Sequence, residues 1–174
     1  MFPELATERF LLRQIRRGDQ QQIFEGLSHP EVIRYYGVSY ATFEETKVQM
    51  DFYDDLLARE TGIWWGIAHR TDPSKLIGAC GFNDWKKEHR KIEIGYWLMP
   101  LHMGRGVMSA CLPLILDYAF TRMHIHRIEA FVEVENKQSL ALLQRVGFNY
   151  EGLLKDVELK NSKYISLTAY ALIR

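Results

Sequence analysis

Cysteine is scarce in this 174-residue chain: Cys80 and Cys111 are the only two. Their apolar surroundings and lack of metal-type spacing exclude a disulfide framework or zinc module and predict two buried free thiols. Surplus charge is absent as well, because 22 basic residues balance 22 acidic ones. No global field then attracts nucleic acid or an anionic membrane, and neither is expected as a partner. No apolar run approaches the roughly 20 residues of a membrane span. The first ten residues carry Glu4, Glu8 and Arg9 rather than the apolar core of a leader. A cytoplasmic protein is the expectation. The five prolines are scattered, and no repeat, low-complexity tract or Gly/Ser-rich linker divides the chain. One domain over residues 1–174 is expected, large enough to bury a single core.

What is present is a succession of hydrophobic periods. "RFLLRQI" (9–15) has strand form. Asp19 and Gln22 stand in capping-box spacing before a helix to about Leu27, and "HPEVIRYYG" opens a short helix that stops at Gly37. Thr42 and Glu45 repeat the box. Behind them Phe43, Val48, Phe52, Leu56 and Leu57 predict a helix to about Thr61. "WWGIAHR", "KLIGACGFNDW" and "KIEIGYWLMP" read as three strands of an antiparallel meander, the first two separated by the turn signal "TDPS". Residues 107, 110, 111, 114, 115 and 118 form a helical face, and Leu112, Leu116 and Phe120 cover the others, so this helix is largely buried despite Pro113. "RIEAFVEVE" is a further strand, and Ser139 to Val146 a helix ended by Gly147. "FNYEGLLKDVEL" and "KYISLTAYALI" make a closing pair. The order specifies an α/β layered domain with a mixed sheet.

"LMPLHMGRGVMSAC" (98–111) places Gly104 and Gly106 at a helix entrance, although glycine costs about 1 kcal/mol in a helix interior. A helix start presents about four unpaired N–H groups and the positive end of its dipole, and glycines there admit a phosphate to those amides. A Walker loop requires Gly-Lys-Ser/Thr, which "GRGVMS" lacks. A dinucleotide fingerprint requires a parallel strand–helix–strand unit, whereas a meander precedes this loop. A plain turn and a phosphate cradle both remain.

The loop's neighbours carry more. "IEIGYWLMPLHMGRGVMSAC" followed by "RIEAFVEVENKQSLALLQRVGF" resembles the GNAT N-acetyltransferases, and within them the RimJ/RimL-type branch, which acetylates protein N-terminal amines and other small amines. "TERFLLRQI", "HPEVIRYYG" and "GF…EG" extend the resemblance over essentially the whole chain. It implies an α/β (α+β) fold with a mixed, mostly antiparallel sheet of six to seven strands and about four helices. It also implies acetyl-CoA as acyl donor. The family loop matching residues 101 to 106 has the form Q/R-x-x-G-x-G/A and wraps the donor's pyrophosphate, with amides here from Met103, Gly104, Arg105, Gly106, Val107, Met108 and Ser109. Leu101 departs from the form at its first position. Arg105 either meets a phosphate or is solvated. The preceding strand is expected to splay from its neighbour, so that the main chain near Leu98 and Met99 pairs with the pantetheine arm and an N–H between Trp97 and Met99 serves the oxyanion. Asn136 matches the asparagine that holds this arm; its alternative is a helix N-cap.

Acetyl transfer to an amine needs a neutral amine, a stabilised oxyanion and a protonated leaving thiolate. Many members carry a tyrosine seven residues after the asparagine as the acid; here that position is Leu143. Ser139 matches the serine proposed for this task in the RimL-like branch, or is a plain helix-surface serine. Glu93, acting through water, is the first candidate base, with a salt-bridged strand glutamate as its alternative, and Glu133 is the second. His124 and His126 flank Ile125 and are expected to share a strand face, but nothing completes a metal site, so no metal is expected. "RYYG" and "WWG" are either aromatic cleft walls or core. The expected function is acetyl transfer to a protein N-terminal α-amine. A polyamine or amino-sugar acceptor and a non-catalytic acyl-CoA-binding module are the alternatives, the last favoured by the missing tyrosine. A monomer or homodimer is expected.

Overall fold

The strand-period segments assemble into one eight-stranded sheet in a computed structural model, which describes residues 1–174. The strands are β1 (Leu5–Ala6), β2 (Phe10–Gln14), β3 (Ile63–His69), β4 (Asp72–Lys86), β5 (Lys91–Leu98), β6 (Arg127–Glu133), β7 (Asn149–Lys160) and β8 (Lys163–Ile173). Their order is β1-β2-β3-β4-β5-β6-β8-β7. Only β5 and β6 run parallel; every other neighbouring pair is antiparallel. The helices are α1 (Gln20–Leu27), α2 (Pro30–Ile33), α3 (Lys47–Ala58), α4 (Val107–Thr121) and α5 (Lys137–Arg145). The mixed, mostly antiparallel sheet is as expected. Eight strands replace six to seven because β1 is a two-residue edge piece, too short to show a period. Five helices replace about four, α2 being a single turn started by Pro30 at its first position.

Alternation along the central strands fills two cores. On one face Ile92, Ile94 and Leu98 of β5 meet Cys111, Leu112 and Ile115 of α4. On the other, Trp97 of β5 and Trp64 of β3 meet Ile23 and Leu27 of α1 and Met50 of α3. Each fully buried Leu or Ile contributes about 1.5–3 kcal/mol of transfer free energy, so α4, with Cys111, Leu112 and Ile115 wholly buried, is the main support of the first core. Cys80 and Cys111 are buried free thiols, as expected. Burial holds the Cys111 thiol up at about 12 and raises Cys80 as well. No helix is long and apolar enough to cross a membrane.

Several local expectations are corrected. Asp19 does not cap α1. Its carboxylate accepts two hydrogen bonds from the Arg13 guanidinium, both at 2.8 Å, and one from the Arg16 N–H at 2.7 Å. The Thr42–Glu45 box forms in both directions, but it closes a turn ahead of α3 rather than the first turn of the helix itself. The buried stripe of α3 is Gln49, Met50, Tyr53 and Leu56, and Phe43, Val48, Phe52 and Leu57 stay exposed. Gln49 tolerates burial because its Oε1 accepts from the Tyr40 hydroxyl at 3.0 Å. The β3–β4 turn falls at residues 70–71, so Asp72 to Ser74 belong to β4. His124 and His126 do not share a strand face. Both precede β6, His124 with a φ of 55°, and the His126 Nδ1 lies 2.7 Å from the Arg174 main-chain oxygen.

Candidate active site

β5 and β6 pair at only three positions: Lys91 with Arg127, Ile92 with Ile128, and Glu93 with Glu129. Both strands continue beyond that point, but β5 stays with β4 to Leu98 and β6 stays with β8 to Glu133. A wedge therefore opens in the sheet immediately after Glu93. The Met99 N–H donates to the Ile77 carbonyl at 2.8 Å, on the β4 side. Successive N–H groups along a strand face opposite edges, so Trp97 shares that side and Leu98 turns its N–H into the wedge. The expected donor between Trp97 and Met99 narrows to Leu98.

Above the wedge, a 3₁₀ turn over Pro100–His102 leads into Gly104 and Gly106, with φ of 69° and 77°. These left-handed conformations disfavour any residue with a Cβ. A Cβ at either position meets no atom within 4 Å, so both glycines border open space. None of the N–H groups of residues 104–109 has an acceptor within the chain; the first bond of α4 runs from the Ala110 N–H to the Gly106 carbonyl at 3.0 Å. Six successive donors thus stand at the positive end of a fifteen-residue helix. Val107 and Met108 bury their side chains and offer amides alone. Met103 packs against both cores, and its N–H donates to the Pro100 carbonyl at 3.1 Å, so contrary to expectation its amide is not free and the unpaired donors begin at Gly104. Leu101, 77% exposed, leaves its side chain in solvent where the family form has Gln or Arg. Arg105 is exposed on the same loop. Ser109 Oγ accepts from Arg145 Nη1 of α5 at 3.1 Å, bringing a second cation to the cradle. Nothing in the linear sequence marked Arg145, because only the α4–α5 packing places it there.

Below the cradle, Asn136 caps α5: its Oδ1 accepts from the Ser139 N–H at 3.2 Å. The Nδ2 group keeps its two donors, so the cap leaves this side chain free to bind a further acceptor. Ser139 Oγ lies 2.5 Å from the Tyr96 hydroxyl. Tyr96 escaped the sequence reading because it shares its strand face with Ile92, Ile94 and Leu98 and so looks like core. The available signal was chemical, since a buried phenol needs a partner. Leu143 is wholly buried.

Glu93 projects to the opposite face, with Gly95 and Trp97. No cation pairs with it, whereas its neighbour Glu129 is held by Lys91 and Arg127. Burial first, then the carboxylates of Asp84, Glu129 and Glu158, push the Glu93 carboxyl up to about 7 against the opposing charge of Lys91. Glu133 is committed to Lys160 of β7, whose ammonium also donates to the Arg34 carbonyl beyond α2. Trp64, Gly81 and Gly95 stand in register across β3, β4 and β5. The Trp64 indole lies over both glycines: a Cβ at Gly81 would be 2.5 Å from its Cγ, and one at Gly95 2.7 Å from its Cζ2. Trp64 is itself buried in the second core, and Trp65 is wholly buried in the first. The wedge is thus reached from two sides, by Glu93 on one and by Tyr96 with Ser139 on the other.

A family model described as an acetyltransferase (GNAT) domain matches residues 9–149. The chain belongs to the GNAT acetyltransferases. Among its curated relatives is the uncharacterized N-acetyltransferase YoaA of Bacillus subtilis (strain 168), 35% identical over 100% of this chain and 98% of that protein. The fold is shared with RimL, a ribosomal L7/L12 alpha-N-protein acetyltransferase solved in complex with coenzyme A, at a TM-score of 0.88 and 23% identity over 98% of both chains. It is also shared with spermidine N-acetyltransferase from Vibrio cholerae, solved with CoA and spermine, at a TM-score of 0.84 and 24% identity over 96% of both chains. As a GNAT member the chain is an acyltransferase with acetyl-CoA as its donor. Its own residues fit that donor: unpaired amides and Cβ-free space at the cradle suit a pyrophosphate, and the wedge below exposes the edge of β5.

Proposed function

We propose that this GNAT enzyme acetylates protein N-terminal α-amines, as the RimJ/RimL branch does. The observation that carries the reading is Glu93, an unpaired carboxyl with a pKa near 7 at the opening of the wedge. A base of that strength suits an amine of pKa about 8. Near pH 7.5 about one α-amine in four is already neutral, against about one lysine-type amine in a thousand. Bound acetyl-CoA supplies the thioester that accepts the amine. The amides of residues 104–109, with Arg145 and Arg105, hold its phosphates. Asn136 Nδ2 holds the arm, and the Leu98 N–H is the donor left for the thioester oxygen. Glu93 receives the amine proton through water, and Ser139 faces the leaving sulfur.

A small-amine acceptor is the second reading, favoured by the shared fold with the spermidine enzyme. Thiol release from acetyl-CoA separates the two. One arm uses a short peptide with a free α-amine, another the same peptide with its α-amine blocked and a lysine added, and a third spermidine. The α-amine peptide is expected to exceed both others in kcat/KM by about 200-fold, the ratio of neutral amine. The reverse order would overturn the proposal.

A further inference from the structure

The chain lacks a phenol at the usual acid position, yet a phenol from another element reaches the same helix about one turn earlier, at Ser139. Leu143 of α5 is wholly buried and carries no proton to give. Tyr96 of β5 extends across the wedge to Ser139 of α5, hydroxyl to hydroxyl at 2.5 Å. We propose that Tyr96 is a positioning residue for the leaving thiol, donating its hydrogen bond to Ser139 Oγ and so directing the serine proton at the sulfur. The inference rests on the reading that Ser139 faces that sulfur.

The contact geometry allows either hydroxyl to donate, and we assign the donor role to Tyr96 on chemical grounds. A phenol is a stronger donor than an aliphatic hydroxyl, because its pKa lies near ~10. Ser139 sits in the first turn of α5 with its backbone N–H tied to Asn136 Oδ1, and its Oγ is partnered by Tyr96. With Tyr96 donating, the serine has one hydrogen left to present; with the roles reversed, it would turn lone pairs toward a developing thiolate. Burial, and no neighbouring charge, raises the Tyr96 phenol to about 12, with the Ser139 bond opposing. It therefore stays protonated throughout the working pH range and acts as a fixed donor. The overall balance needs nothing more. The C–N bond forms and the C–S bond breaks with its electron pair on sulfur; the amine proton passes through water to Glu93 and on to solvent, and the thiolate leaves in a hydrogen bond from Ser139 and takes its proton from solvent. Tyr96 and Ser139 end as they began.

The test uses Tyr96→Phe, Ser139→Ala and the double variant, with two readouts: kcat, and the thiol pKa of bound CoA followed by its thiolate absorbance. Tyr96→Phe should lower kcat up to about ten-fold, the effect of losing one hydrogen bond between neutral groups. Acetyl-CoA affinity by calorimetry should stay within about two-fold, because the interaction is made in the transition state. The thiol pKa, below its ordinary ~8.5 in the wild-type complex, should rise in both single variants. The double variant should be no worse than Ser139→Ala. If Ser139→Ala changes neither readout, Ser139 does not face the sulfur and that reading fails together with this one. If Ser139→Ala changes both but Tyr96→Phe changes neither, only the role of Tyr96 is overturned. Tyr96→fluorotyrosine guards against a folding defect: it keeps the shape, strengthens the donor and should lower the bound thiol pKa further. An unchanged or higher value would contradict the proposal.

Discussion

Replacing Glu93 with glutamine keeps the side chain's shape and removes its ionisation. In the folded chain this carboxyl is raised from 4.5 to about 7, by burial and then by Asp84, Glu129 and Glu158. The fold therefore binds this proton more tightly than the unfolded chain does. Below the unfolded pKa the group is protonated in both states and has no effect on stability. As pH rises toward 7 the unfolded chain ionises first and stability falls; above 7 the loss is complete. The full shift would correspond to about 3 kcal/mol, and the partial exposure of Glu93 reduces it to about 1–2 kcal/mol. Glu93→Gln should exceed wild type in stability by that amount near pH 8.5 and match it near pH 4. Urea titrations at both pH values read the difference. Its kcat/KM should move the other way, losing about 100-fold and the acidic limb near 7. A variant that is more stable yet slower would place Glu93 among residues held in an unfavourable state for function. Equal stability at both pH values, with the limb retained, would refute the reasoning.

Two further outcomes follow from particular contacts. Asp19→Ala leaves the Arg13 guanidinium buried at 6% exposure without its carboxylate and should cost about 3–5 kcal/mol, read from the urea midpoint. Gly106→Val forces a β-branched residue to a φ of 77°, with a strain of about 1–2 kcal/mol, and should weaken acetyl-CoA binding at least about ten-fold by filling the cradle. Gly18→Ala, where φ is ordinary and the space is open, is the matched control, and calorimetry compares them.

Much of the fold was legible because period and position agree along the chain. β5 alternates, α4 shows a continuous apolar face, and Gly104 and Gly106 mark a helix entrance. The free amides at the start of α4 were readable for the same reason, because helix-start donors follow from local sequence. What stayed hidden depends on two elements meeting. Arg13 and Asp19 are charged and six residues apart, and only packing of the β2–α1 link shows that each buries the other. Tyr96 and Ser139 are 43 residues apart, and the phenol sits in an apolar alternation that masks it. The stripe of α3 was displaced because Gln49 is buried by a bond to Tyr40 that no hydropathy pattern contains. His124 looked like strand because Ile125 separates it from His126, but its left-handed φ marks a turn.

The central claim is that acetyl-CoA lies on the amides of residues 104–109 and reaches down the open edge of β5. Backbone hydrogen exchange with and without acetyl-CoA tests it most directly, because those six amides have no acceptor in the free chain and should exchange quickly there. Acetyl-CoA is predicted to slow exchange across residues 104–109 and at Leu98, with α3 and the β7–β8 hairpin unchanged. Protection elsewhere with residues 104–109 unaffected would contradict the account.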